Sequence, residues 1–99
     1  MKITSFVVGL AVLFSATSAM AFTGQKYVHH AKVTLEEART TALKARPGTI
    51  TDQELERERG GSGLRYSFDV KADNHTFEVG VDAKTGKVLE NKAEGPNAD

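Results

Sequence analysis

Ninety-nine residues suffice for one small domain, and 13 Lys+Arg against 13 Asp+Glu leave no net charge. That balance excludes the basic surface with which nucleic-acid binders displace counterions, and it excludes a polybasic membrane-surface protein. The chain has no Cys, so it has no disulfide scaffold, thiolate zinc site, cysteine nucleophile or bacterial lipoprotein anchor.

Residues 1–21 read as a secretory signal peptide. Lys2 supplies the positive start, Ile3 to Phe14 the apolar stretch, and Ala19-Met20-Ala21 the small-x-small cleavage pattern. The apolar run is shorter than the roughly 20 residues a spanning helix needs. The expected product starts at Phe22, loses only the charge of Lys2, lacks a membrane span, and resides in the periplasm or outside the cell. Residues 22–32 read as an irregular lead-in.

A helix is expected from Thr34. Thr34 and Glu37 have the spacing of a capping box, with Val33 and Ala38 placed for the accompanying hydrophobic staple. Glu36 and Glu37 lie at the positive end of the helix dipole, and Lys44 and Arg46 lie at its negative end. Leu35, Ala38, Ala42 and Ala45 share one face, with Leu43 at its edge, and Pro47-Gly48 ends the helix.

The remainder reads as strands. Leu64, Tyr66, Phe68 and Val70 alternate with polar residues, as do Phe77, Val79 and Val81. A two-residue turn at Asp73-Asn74 sets Val70 against Phe77, Phe68 against Val79 and Tyr66 against Val81. A loop of Gly60-Gly61-Ser62-Gly63 sets Arg59 against Leu64, Glu58 against Arg65 and Leu55 against Phe68. Both turns place the same residues on one buried face. Ile50 and Leu55 lie five positions apart and share a face only across a bulge. A turn at residues 82–86 leads to a short last strand opened by Val88 and Leu89, and residues 93–99 read as a frayed tail. The fold class is α+β: one N-terminal helix packed on one face of a three- to four-stranded antiparallel β-meander.

Residues with chemistry are few. His29-His30, even with His75, lacks the denser ligand set of a zinc site, and adjacent residues in an extended chain point opposite ways. Gly61-Ser62-Gly63 lacks the spacing of a nucleophile elbow, and no P-loop Lys follows the glycines. Neither a catalytic set nor a cofactor or metal site is expected. The outer sheet face carries Glu54, Glu56, Glu58, Arg65, Asp69, Lys71 and Glu78. Glu54, Glu56, Glu58, Arg65 and Lys71 are the candidate partner-binding residues. The competing reading makes them a solvated face with Arg65 and Lys71 as cross-strand partners. Asp69 opposite Glu78 is a like-charge pair, and Gly80 leaves a gap beside it.

Residues 33–92 resemble the PepSY domain family. The resemblance is carried by Val33-Thr34-Leu35-Glu36-Glu37-Ala38, Arg46-Pro47-Gly48, Glu54-Leu55-Glu56-Arg57-Glu58, Tyr66-Ser67-Phe68-Asp69-Val70 and Phe77 to Leu89. The segment Val81-Asp82-Ala83-Lys84-Thr85-Gly86-Lys87-Val88 is the most specific. These motifs specify a fold rather than a site. The resemblance implies a helix against an antiparallel sheet, and a non-catalytic module that inhibits or regulates a peptidase in the cell envelope, as in propeptides of thermolysin-like metallopeptidases. No protease domain is expected in this chain, so any inhibition would have to act in trans. The alternative is a small-ligand or metal-binding periplasmic protein using His29, His30 or the acidic face. Self-association through sheet edges is compatible with the first reading.

Overall fold

The computed structural model describes residues 22–95. The expected leader and the last four residues of the expected tail lie outside that range.

Helix α1 spans Leu35–Ala45. Its capping box is complete: the Thr34 N–H donates to Glu37 Oε1 at 2.9 Å, and the Glu37 N–H donates to Thr34 Oγ1 at 3.1 Å. Two otherwise orphaned donors are thereby satisfied at the helix start. Arg46 closes the last turn by donating its N–H to Ala42 O at 2.8 Å. Ala38 and Ala42 are fully buried, and Leu35, Leu43 and Ala45 flank them half-buried. The small side chains let the helix axis lie close on the sheet.

Four strands follow, β1 (Thr49–Arg57), β2 (Leu64–Ala72), β3 (His75–Asp82) and β4 (Val88–Ala93), in the order β1-β2-β3-β4 and all antiparallel. The β2–β3 register is the expected one: Tyr66 faces Val81, Phe68 faces Val79 and Val70 faces Phe77. Asp73 and Asn74 take φ of 52° and 65°, the two left-handed positions of a type I′ turn, whose twist matches that of the strands. Tyr66, Phe68, Val70, Val79 and Val81 are buried together with Leu55 and Leu64. Phe77, at the margin, is covered by the Arg46 guanidinium 3.8 Å from its ring centre.

The β1–β2 register differs from expectation by two residues. Leu55 faces Tyr66, Glu56 faces Arg65 and Arg57 faces Leu64, so Phe68 lies opposite Gln53 rather than Leu55. The connection runs from Glu58 to Gly63, and the Glu58 N–H donates to Gly63 O at 3.1 Å. An even shift keeps every side chain on its expected face, which is why the buried set is unchanged. The expected bulge is present, between Ile50 and Asp52. A second irregularity, at Leu89 opposite the Gly80/Val81 step, interrupts the β3–β4 ladder.

The lead-in is more regular than expected. Gln25–His30 form a 3₁₀ helix. Thr23 makes a parallel bridge on the outer edge of β1, with the Leu55 N–H donating to Thr23 O at 2.8 Å. Phe22 sets its ring edge to face against Tyr66, at 6.5 Å. Gly24, at φ 91°, packs so closely on the Leu55 backbone that no Cβ fits.

Candidate partner-binding surface

One sheet face is covered by α1 and the lead-in, and the other is open. The registers arrange the open face in rows across the strands. One row is Asp52, Asp69, Glu78 and Lys92; the next is Glu54, Ser67, Gly80 and Glu90; the third is Glu56, Arg65 and Asp82. Three adjacent carboxylates therefore stand side by side in the first row, with no cation between them. Like charges directly opposite one another destabilise a sheet. Burial, then the charge of Glu90 and next that of Asp69, pushes the Glu78 carboxyl above the usual carboxylate range. Burial and the nearby Glu56 and Asp52 do the same to Glu54.

The five candidate residues fall into different surroundings. Glu54 and Glu56 share the open face, and Glu56 Oε2 accepts a hydrogen bond from Ser67 Oγ at 2.7 Å. Glu58 has left the strand and stands in the loop; it is not opposite Arg65. Lys71 is exposed and lies in register with Thr49 and Thr76, away from the carboxylate rows. Arg65 is only 6% exposed. Its guanidinium lies along the backbone of Gly80, where a Cβ would come within 3.0 Å of Nη1. The gap at Gly80 is thus the space that Arg65 fills. Nη1 donates to Glu90 Oε1 at 3.1 Å and Nη2 to Arg59 O at 3.0 Å, while Nε is buried without a partner among the described residues. Arg65 is a structural tie between the loop and β4 rather than a free contact.

Asp82 carries the most perturbed carboxylate, and it too is structural. It is 1% exposed. Burial pushes its pKa up, but hydrogen bonds from Ser62 N–H (2.6 Å), Lys84 N–H (2.8 Å), Ser62 Oγ (2.8 Å) and Thr85 N–H (3.1 Å) overcome this and hold it at about 2. One side chain thereby fixes both the β3–β4 turn and the β1–β2 loop. Beside it, Ala83 O accepts the N–H groups of Lys32 and Val33, both at 2.9 Å, and the Val33 carbonyl accepts the Tyr66 hydroxyl at 2.7 Å. The Asp82 motif therefore also anchors the start of α1.

His29 and His30 are exposed on the 3₁₀ helix. Among the described residues, no group of three or more His, Asp or Glu side chains is placed to hold a metal ion. A groove of about 420 Å³ lies at the β1 bulge, between Phe22, Arg39, Ile50 and residues 51–53, where Arg39 donates to the Gln53 side chain. Asp52 and Glu90, which complete the carboxylate rows, were not among the residues the sequence singled out. Their signal is the register itself, which sets Asp52 beside Asp69 and Glu90 beside Gly80.

Among the described residues, no helix is long and apolar enough to cross a membrane. No curated protein and no solved structure matches the chain significantly. The PepSY family model, described as "Peptidase propeptide and YPEB domain", matches residues 32–92. That stretch runs from Lys32, two residues ahead of the N-cap Thr34, to Lys92 in β4, and over it the chain belongs to the PepSY family.

Proposed function

We propose that this chain is a non-catalytic PepSY module, exported to the periplasm or the exterior, that binds a peptidase and restrains it in trans. The family's tie to peptidase propeptides supports the class of partner. The row of Asp52, Asp69 and Glu78 supports the mode of contact. Adjacent carboxylates on a wet face cost the sheet stability, and a cationic partner surface relieves that cost. Glu54 and Glu56 extend the same face toward the loop that carries Glu58. Arg65 contributes by holding Glu90 and the loop in place, and Lys71 marks the margin.

Titration of the purified exported product into thermolysin-like metallopeptidases tests the proposal. Activity is expected to fall with dose, and less steeply at high salt, since exposed charges are screened. The Glu78→Gln variant is expected to inhibit more weakly while folding normally. Unchanged activity across a broad peptidase panel would count against the reading. Saturable heat on calorimetric titration with divalent cations would favour the ligand-binding alternative instead.

A further inference from the structure

The two edges of the sheet are not equivalent. On β1, Thr23 occupies the outward backbone positions of Gln53 and Leu55, whereas each edge strand carries one irregularity, at Thr51 in β1 and at Leu89 in β4. On β4, no strand lies beyond among the described residues. Which β4 groups face outward follows from the ladder. The Glu94 N–H donates to Thr76 O at 2.9 Å, so the 76:94 pair is hydrogen-bonded. Hydrogen-bonded pairs alternate in an antiparallel ladder, so 78:92 and 80:90 are bonded as well. The backbone N–H and C=O of Asn91 and Ala93 therefore point away from β3, toward the open edge.

We propose that this edge is a self-recognition surface, on which β4 of a second copy pairs antiparallel about a two-fold axis at Asn91, joining two four-stranded sheets into one. The axis position follows from the outward groups. Centred there, Asn91 pairs with Asn91 through outward backbone groups, and the outward groups of Ala93 face Leu89 of the other copy, where the regular ladder of β4 ends. On the open face this register sets Glu90 against Lys92 of the second copy, and Lys92 against its Glu90. Within one chain, Lys92 Nζ already lies 3.3 Å from Glu90 Oε2, and its side chain is 71% exposed. The dimer thus alternates four charges of opposite sign at the closest cross-strand spacing. On the helix face, Asn91 is tied back to its own α1, donating to Ala45 O at 3.2 Å and accepting from Arg46 Nε at 3.1 Å. Arg46 in turn is stacked on its own Phe77, which keeps that cation on its own subunit. The proposal does not depend on the peptidase reading.

The test uses the exported product, with its mass in solution followed by light scattering from about 1 μM to about 1 mM, a range that spans weak to standard interfaces. A monomer–dimer equilibrium is expected, weakening as salt is raised. Lys92→Glu turns two attractive pairs into repulsive ones and is expected to weaken the dimer roughly tenfold or more. Ala93→Pro removes an outward N–H that the monomer does not use, so it is expected to abolish the dimer with little change in unfolding temperature. Because the chain has no Cys, single substitutions report the register. Under oxidation, Asn91→Cys is expected to cross-link with itself. Ala93→Cys is not, because residues 93 of the two copies lie roughly 14 Å apart, beyond disulfide reach. A monomer at every concentration overturns the proposal. So does a dimer that survives both Lys92→Glu and Ala93→Pro, which would assign the contact to another surface. A monomer whose Ala93→Pro variant loses peptidase inhibition overturns it as well, and gives the edge to a strand of the peptidase.

Discussion

Replacing Asp82 by asparagine tests whether one buried carboxylate holds the two ends of this sheet together. The wild-type carboxyl is held at about 2 against an ordinary value of 3.8. A gap of that size corresponds to about 2 kcal/mol of folding stability at neutral pH. The asparagine amide keeps one oxygen, but its NH₂ takes the place of the other and opposes the Ser62 N–H that donates there. That mismatch adds about 1 kcal/mol. The expected loss for Asp82→Asn is therefore about 3 kcal/mol at pH 7. In a domain of this size it amounts to a fall in melting temperature on the order of 15 °C.

The pH dependence carries the sign. The folded pKa is depressed, so the carboxylate's stabilisation is complete above the unfolded value of 3.8 and is lost as pH falls through the folded value near 2. Wild type should lose this contribution between about pH 5 and pH 2, while Asp82→Asn has none to lose, and the gap between them should narrow to about 1 kcal/mol. Urea unfolding followed by circular dichroism at several pH values measures both curves. A loss below about 0.5 kcal/mol at pH 7, or parallel curves below pH 5, would refute the assignment of the turn and loop to this carboxylate.

Three further outcomes follow from the same contacts. Glu78→Gln is expected to stabilise the fold by about 0.5 kcal/mol at pH 7. Because burial and neighbouring carboxylates raise the folded pKa of Glu78, protonation relieves its cost as pH falls, and the gain from the variant should vanish in acid. Tyr66→Phe removes the hydroxyl that donates to Val33 O and is expected to cost about 1 kcal/mol in thermal denaturation. Thr34→Ala removes half of the capping box and should cost about 1 kcal/mol, with the loss visible as faster amide exchange in the first turn of α1.

The parts of the fold that were legible share a physical basis. The helix start was readable because a capping box is a local pattern, satisfied within four residues. The β2–β3 hairpin was readable because Asp73-Asn74 suits the left-handed positions of a tight turn, which fixes register without any distant contact. The β1–β2 loop was not. Its length is set by Asp82, twenty positions beyond Ser62, and the run of charged residues from Glu56 to Arg59 offers no apolar marker to distinguish one even register from another. The burial of Arg65 is not legible for a related reason. A charged residue on a wet face normally stays solvated, and its burial here depends on the missing side chain at Gly80, in the facing strand. The gap was visible in the sequence, but the side chain that fills it was not, because Arg65 reaches Gly80 diagonally rather than as its direct partner.

The carboxylates of the described residues fall into two groups by their surroundings. Asp82 lies in the most specific family motif, and its oxygens are engaged by four donors from two loops. It is a fastening. Glu90 is likewise engaged, by Arg65 and Lys92. Asp52, Asp69 and Glu78 differ: they stand in one row, and Glu78 is raised by burial and then by its neighbouring carboxylates rather than lowered by donors. A folding role predicts that neutralising such a residue costs stability. A recognition role predicts the reverse, a gain in stability with a loss of binding. Glu78→Gln separates the two in one protein, since unfolding and inhibition are measured on the same sample. A variant that unfolds more easily than wild type and still inhibits fully would move the contact surface off the open face and onto the strand edges.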